Sequence, residues 1–335
     1  MKHLLKKSLS ATLPHLPVSW LIRMAPGPLF PYYHLVSDVP PVYMQGSYPV
    51  ASVQVFERNL DFLLRHWKPV SLEDILGWVR EGAPVPQGVF HLTFDDGFRE
   101  VYDVVFPVLK RKGIPATTFV CSDLLEPGIW MWEHERALVV RAAKEADKQI
   151  LQSLSVALNC ISGYELQTLS AVDYEHRGAL SRAADCLHLD LSTLAREHSP
   201  YLAEGHIREM IASGFTFGSH ALDHPLFQNL TLEHQLAQIS QSVRAICERF
   251  GLPYKVFAFP YGESGLSPEL FSRIFGEGLV DICWGTRGML PDEYPGVIQR
   301  LWMEVPGGAV SCAIRQELTR KVIRKLVHND KVTRK

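Results

Sequence analysis

Residues 93–97 read Thr93-Phe94-Asp95-Asp96-Gly97, directly after the run Gly88-Val89-Phe90-His91-Leu92. The spacing predicts a strand over Val89–Phe94 that ends in two adjacent carboxylates and a turn. Successive side chains of a strand point to opposite faces, so Asp95 and Asp96 cannot serve the same packing purpose. One can bind a cation while the other handles protons. The alternative is an acidic turn that caps the helix predicted over the following residues, where a negative charge is favoured.

A second cluster, Phe215-Thr216-Phe217-Gly218-Ser219-His220-Ala221-Leu222-Asp223-His224-Pro225, again runs from a β-prone stretch into polar residues. His220 and His224 stand one helical turn apart, although Pro225 disfavours helix at His224 and calls for a short turn. Two histidines and a carboxylate with an open fourth position form a common catalytic metal site. A lone pair of this spacing is more often incidental; here it follows a strand, as the two aspartates do.

Around these motifs strand-like and helical patterns alternate. Strands are expected at Phe30–Leu35, Val89–Phe94, Thr117–Cys121, Phe215–Ser219, Lys255–Phe259, Leu279–Trp284 and Val297–Trp302. Helices are expected after Ser52 and over Ser71–Arg80, Val101–Lys112, Gly205–Ala212, Thr231–Phe250 and Pro268–Phe275. Such alternation indicates parallel βα units, whose sites gather at the C-terminal strand ends. Residues 123–200 interrupt the pattern with Ala-, Leu- and charge-rich helical stretches and are too long for an ordinary connection. They read as a helical insertion over the barrel mouth that shapes the substrate site. Trp130 and Trp132 can meet a sugar ring there or pack on the barrel.

Thr93–Gly97, followed by Pro107-Val108-Leu109, Gly113-Ile114-Pro115-Ala116-Thr117 and Phe119-Val120, resembles the polysaccharide deacetylases with a NodB-homology domain, carbohydrate esterase family 4. Their second motif, His-Ser/Thr-x-x-His, stands as His220–His224 with Ala221 in the hydroxyl position. The third is Phe259-Pro260-Tyr261-Gly262, with Ala258 in place of a frequent Arg. Tyr33-His34 resembles a Tyr-His near the start of many members. The resemblance covers roughly residues 28–121 and 200–303. It implies an α/β fold, a distorted and partly open (β/α) barrel, over residues 28–312, with the insertion at about 123–200. A basic segment 1–27 precedes the barrel and a basic tail 313–335 follows it.

The resemblance also implies the chemistry. Asp96, His220 and His224 would hold a divalent metal, for which zinc fits a two-His, one-carboxylate set. Asp95 would be the general base, and the backbone N–H of Tyr261 would face the oxyanion, since Pro260 has no N–H. Trp130, Trp132 and Pro260 would line the substrate. The family's late Leu-x-Ile-x-His motif has no histidine in the corresponding Ile298–Glu304, and its Asp-x-x-Asp-Trp is reduced to Asp281-Ile282-Cys283-Trp284. The proton donor is therefore assigned to His34 ahead of Glu304 and Arg300. His91 reads as structural, and His134 as a surface residue.

Composition bounds the rest. The chain has 335 residues, 47% of them hydrophobic, and a net charge of -2. That balance excludes disorder and gives no nucleic-acid signal. Its six cysteines form no C-x-x-C pair and suggest a reduced, cytosolic protein. Lys2, Lys6, Lys7 and Arg23 make the start basic, but Pro14, His15 and Pro17 break any signal-peptide core. Leu13–Met24 and Ile314–Val327 either lie on a membrane surface beside their basic residues or pack on the domain. The expected substrate is an N-acylated amino sugar of a cell-envelope or lipopolysaccharide-type glycan, met in the cytoplasm or at the inner membrane surface, lipid-linked precursors included. Cleavage of a non-sugar C–N bond and a carbohydrate-binding pseudoenzyme are the other readings. The sequence sets neither an oligomeric state nor a particular sugar.

Overall fold

A computed structural model describes residues 16–44, 49–305, 310–326 and 331–334. Its main sheet is parallel throughout and contains β1 (Pro31–Tyr33), β4 (Leu92–Phe94), β5 (Ala116–Val120), β6 (Thr216–Ser219), β7 (Val256–Ala258), β8 (Ile282–Gly285), β9 (Val297–Gln299) and β10 (Leu301–Trp302). A separate two-stranded pair joins β2 (Lys68–Pro69) to β3 (Val89–Phe90). The main order is β10-β1-β4-β5-β6-β7-β8-β9. Only Arg300 separates β9 from β10. One run, 297–302, therefore pairs with β8 on one side and β1 on the other, and brings the two ends of the sheet together. The result is a nearly closed (β/α) barrel, built of the parallel units that the alternating pattern predicts and of the kind that the resemblance implies.

Helices cover the outside: α1 (Val18–Met24), α2 (Val53–His66), α3 (Leu72–Arg80), α4 (Phe106–Lys112), α10 (Glu204–Ala212), α11 (Leu232–Phe250), α12 (Pro268–Gly276) and α13 (Val310–Leu326). Their starts follow local chemistry. Ser52, Thr231 and Ser267 each accept a backbone N–H of the first turn, and Ser71 with Asp74 forms a capping box. Pro268 opens α12, where its missing N–H costs nothing. Leu60, Leu63, Phe94, Leu109 and Phe217 are among the buried residues of the core between sheet and helices.

The insertion consists of α5 (Trp132–Glu145), α6 (Lys148–Ala157), α7 (Glu165–Ser170), α8 (Gly178–Cys186) and α9 (Leu191–His198). It has its own apolar core around Val139, Leu154, Leu169 and Leu180. Trp130 does not face a ligand space: it packs on Tyr43 and donates to the Leu191 carbonyl. His134 is buried rather than on the surface, bonded to the Tyr201 hydroxyl at 2.7 Å.

The flanking segments also pack onto the barrel. In α13, Ile314, Leu318, Val322 and Ile323 are buried in the main core, and α1 lies against this helix through a segment that buries Val18 and Leu21. Of the apolar positions expected on a membrane face, Val322 and Ile323 are thus taken up by the protein itself. Val327 lies outside the described residues. Among the described residues, no helix is long and apolar enough to cross a membrane.

Candidate active site

Parallel register assembles the site. Tyr33 pairs with Phe94, so the next residues, His34 and Asp95, emerge side by side at the C-terminal strand ends. On the other flank of β1, Tyr32 pairs with Trp302, which carries Glu304 alongside His34. The turn after Asp95 needs Gly97. Its φ is 67°, and a Cβ there would lie 2.8 Å from the Val120 side chain.

Asp96, His220 and His224 form a buried cluster whose ligand atoms lie within 4.8 Å of one another. Both imidazole Nε2 atoms stand 3.4 Å from Asp96 Oδ1. The opposite ring nitrogens are engaged: His220 Nδ1 donates to the Ala258 carbonyl at 2.8 Å, and His224 Nδ1 to Glu133 Oε1 at 2.9 Å. With the Nδ1 protons held there, each Nε2 lone pair is left toward Asp96, the arrangement second-sphere acceptors impose on metal-binding histidines. This donor set fits a divalent cation, zinc included. Burial raises the Asp96 pKa, but His224, His220 and His34 outweigh it and hold the carboxyl well below its usual range.

Asp95 is not a free carboxylate. Arg300 Nη1 and Nη2 donate to its two oxygens at 2.6 and 2.8 Å, and Nη1 also reaches Thr93 Oγ1. The guanidinium is wholly buried and lies over the Tyr32 ring at 4.5 Å. Burial raises the Asp95 pKa; Arg300 and then His220 more than offset this, so the net shift is downward.

His34 is bonded through Nδ1 to Glu304 Oε2 at 2.5 Å. Glu304 Oε1 accepts the backbone N–H groups of His34 and Leu35, each at 2.9 Å, and Trp302 Nε1 donates to Oε2 at 3.0 Å. Burial lowers the His34 pKa, but Glu304 outweighs it and pushes it up to about 9.

His34, Asp95, Asp96, Glu133, His220 and His224 line one cavity of about 740 Å³ with Tyr32, Trp132, Tyr261, Thr286 and Trp302. Tyr261 stands with its ring 4.8 Å from that of His224, half exposed. Neither Trp130 nor Pro260 is among the lining residues. Left-handed backbone concentrates here: Asp96 (φ 69°), Ala221 (70°), His224 (62°) and Tyr261 (58°) all adopt it without being glycine. Such conformations persist where surrounding structure over-determines them, most often at functional sites.

Arg300 and Glu304 are bonded to Asp95 and to His34, and the structure adds Glu133, bonded to His224, which the sequence reading did not single out. Arg300 had a signal: a guanidinium inside the strand-like run 297–302 must find a buried anion. Asp281 lies at the far end of β8, where it accepts the Lys255 N–H, away from the cavity.

The sequence model of the family described as polysaccharide deacetylase matches residues 82–156 and 188–270, leaving out the middle of the insertion. No curated protein sequence matches the chain. Among solved structures, the chain is similar in fold to Streptococcus pyogenes deacetylase PplD in complex with acetate, at 14% identity over 86% of this chain and 97% of that one, with a TM-score of 0.55. It is similar also to IcaB from Ammonifex degensii, at 18% identity over 87% and 97%, with a TM-score of 0.53. With the motifs, the family match and the fold in agreement, the chain belongs to the polysaccharide deacetylase family.

Proposed function

We propose that this hydrolase of non-peptide C–N bonds removes an N-acyl group, N-acetyl foremost, from an amino sugar of a cell-envelope or lipopolysaccharide-type glycan, with a divalent metal, zinc foremost, held by Asp96, His220 and His224. The observation that carries the reading is that Asp95, held by Arg300, and His34, held by Glu304, line the same cavity as that cluster. The family description supports the glycan, and the PplD structure with acetate supports the acetyl group.

The residues divide the work. Asp95, kept ionised by Arg300, accepts a proton from the attacking water. A carboxylate whose pKa is lowered needs an acidic water, and a divalent cation held there would supply one by lowering the water's pKa to about 7. As the water oxygen bonds to the acyl carbon, the backbone N–H of Tyr261 is the donor assigned to the developing oxyanion. The imidazolium of His34 gives its proton to the sugar nitrogen as the C–N bond breaks, which leaves a free amine and a carboxylic acid. General acid–base steps of this kind are typically worth about 10²- to 10⁴-fold each. Trp132, Tyr32 and Trp302 offer apolar ring faces for the sugar. The basic termini would favour a membrane-bound, anionic form of the substrate at the cytoplasmic face.

The test is acetate release from N-acetylated amino-sugar oligomers by zinc-loaded protein, with Asp96→Asn as control. The reading predicts release that the substitution abolishes. No release from any N-acylated sugar, or equal release by the variant, would overturn it.

A further inference from the structure

We infer that the helical insertion is a working part of the metal centre and that Glu133 is a positioning residue for His224. This rests on the reading of Asp96, His220 and His224 as metal ligands. It goes beyond that reading by assigning the insertion a task other than covering the substrate.

The geometry carries the inference. The turn from His220 to His224 is held in conformations that L-residues rarely adopt, with φ 70° at Ala221 and 62° at His224. Such a conformation is strained and survives only where its surroundings fix it. At Asp223 and His224 the insertion supplies most of the fixing contacts. Trp132 Nε1 donates to the His224 carbonyl at 3.1 Å, while the next residue, Glu133, accepts from His224 Nδ1 at 2.9 Å. Two consecutive residues at the start of α5 therefore grip one ligand by its backbone and its ring. Tyr174 and Arg177, farther along the insertion, bind the Asp223 carboxylate at 2.8 and 3.1 Å. From outside the insertion helices, Gln238 meets Asp223 and the Leu222 N–H, and the Ser122 and Asp123 N–H groups donate to the Ala221 and Leu222 carbonyls.

The grip is firmly anchored. The residue before Trp132, Met131, donates its N–H to the buried Tyr201 hydroxyl, which His134 also contacts. Glu133 is itself largely buried, its side chain 14% exposed. A carboxylate there fixes the ring orientation and keeps the proton on Nδ1, so that Nε2 stays available as a ligand. Removing an acceptor of this type typically lowers metal affinity 10- to 100-fold.

The experiment compares wild type, Glu133→Ala, Glu133→Gln and Trp132→Phe, each checked for folding by circular dichroism. Zinc affinity is measured by competition with a chromogenic chelator. In metal-free protein, the hydrogen-bonded His224 Nδ1 proton is followed by ¹H–¹⁵N NMR. Glu133→Ala should bind zinc 10- to 100-fold more weakly and lose the protected Nδ1 resonance. Glu133→Gln, which keeps an oxygen acceptor, should recover most of the affinity. Trp132→Phe, which removes the donor to the His224 carbonyl and leaves Glu133 in place, should show a smaller loss with the Nδ1 resonance retained, and it reports on the grip even if Glu133→Ala does not fold. Unchanged zinc affinity in both Glu133→Ala and Trp132→Phe would overturn the inference, as would an Nδ1 resonance indifferent to Glu133. If wild type binds no zinc, the metal reading fails instead, and the NMR arm alone decides whether Glu133 holds His224. Absence of acetate release would leave both readouts intact.

Discussion

Arg300 holds both oxygens of Asp95, at 2.6 and 2.8 Å, from the single residue that divides β9 from β10. The residue that closes the sheet thus also orients the carboxylate assigned as base. Breaking a buried pair by deleting one partner typically costs about 3–5 kcal/mol, because an uncompensated charge stays behind. Arg300→Ala should therefore destabilise the protein by about that amount in urea unfolding. The double variant Asp95→Ala/Arg300→Ala should be more stable than Arg300→Ala alone. A double variant no more stable than that single one would show that Arg300 acts through packing against Tyr32 instead.

His34 and Glu304 set an alkaline limit. The folded-state pKa of His34 is raised from 6.5 to about 9, so its imidazolium persists up to that pH. Stability from the pair is complete below about 6.5 and is lost as pH rises through about 9. Activity that needs the imidazolium should fall over the same upper limb. Glu304→Gln should move this limb of kcat/KM downward, towards the ordinary histidine value. His34→Ala should lower kcat by roughly 10²- to 10⁴-fold at neutral pH. A limb that stays in place in Glu304→Gln would remove His34 from the role of acid.

The three-ligand cluster predicts linkage between zinc and folding. Free zinc at about 100 times its dissociation constant should stabilise the native protein by roughly 2.7 kcal/mol, seen as a rise in Tm. His220→Ala should lose most of that rise, and a strong chelator should abolish it in wild type. An equal zinc-induced rise in His220→Ala would place the ion elsewhere.

Much of this was legible in the sequence where chemistry is local. Strand-end motifs placed Asp95, Asp96, His220 and His224 together because parallel βα units put every C-terminal strand end on one face. Caps such as Ser52 marked helix starts because they act within three residues. What stayed hidden depends on pairings across the chain. The Arg300–Asp95 fork spans 205 positions and the His34–Glu304 bond 270. No periodicity encodes such a pair; it follows from which strand closes beside β1. His134 was read as exposed because a histidine among helical polar residues usually is, whereas Tyr201, from beyond the insertion, buries it.

The chain's last described residues make a final case. The side chain of Arg334 is buried, with Nη2 2.6 Å from Asp292 Oδ2 and its guanidinium 3.7 Å from the Phe271 ring centroid. Val332 bridges to Asp292 in parallel register, so the segment is sewn to the barrel by backbone as well. Asp292 shares Gln299 with Glu263, which ties this end of the chain to β9 one residue before Arg300. Burial raises the Asp292 pKa, and Arg334 works against that rise. Without Arg334 the pocket would hold buried acids with less compensation. Arg334→Ala should thus destabilise the protein by about 3–5 kcal/mol. Adding Asp292→Asn to it should restore part of the loss, since a neutral amide needs no counter-charge. Urea midpoints of the three variants check this. A midpoint for Arg334→Ala equal to wild type would mean that the tail lies on the barrel without bracing it.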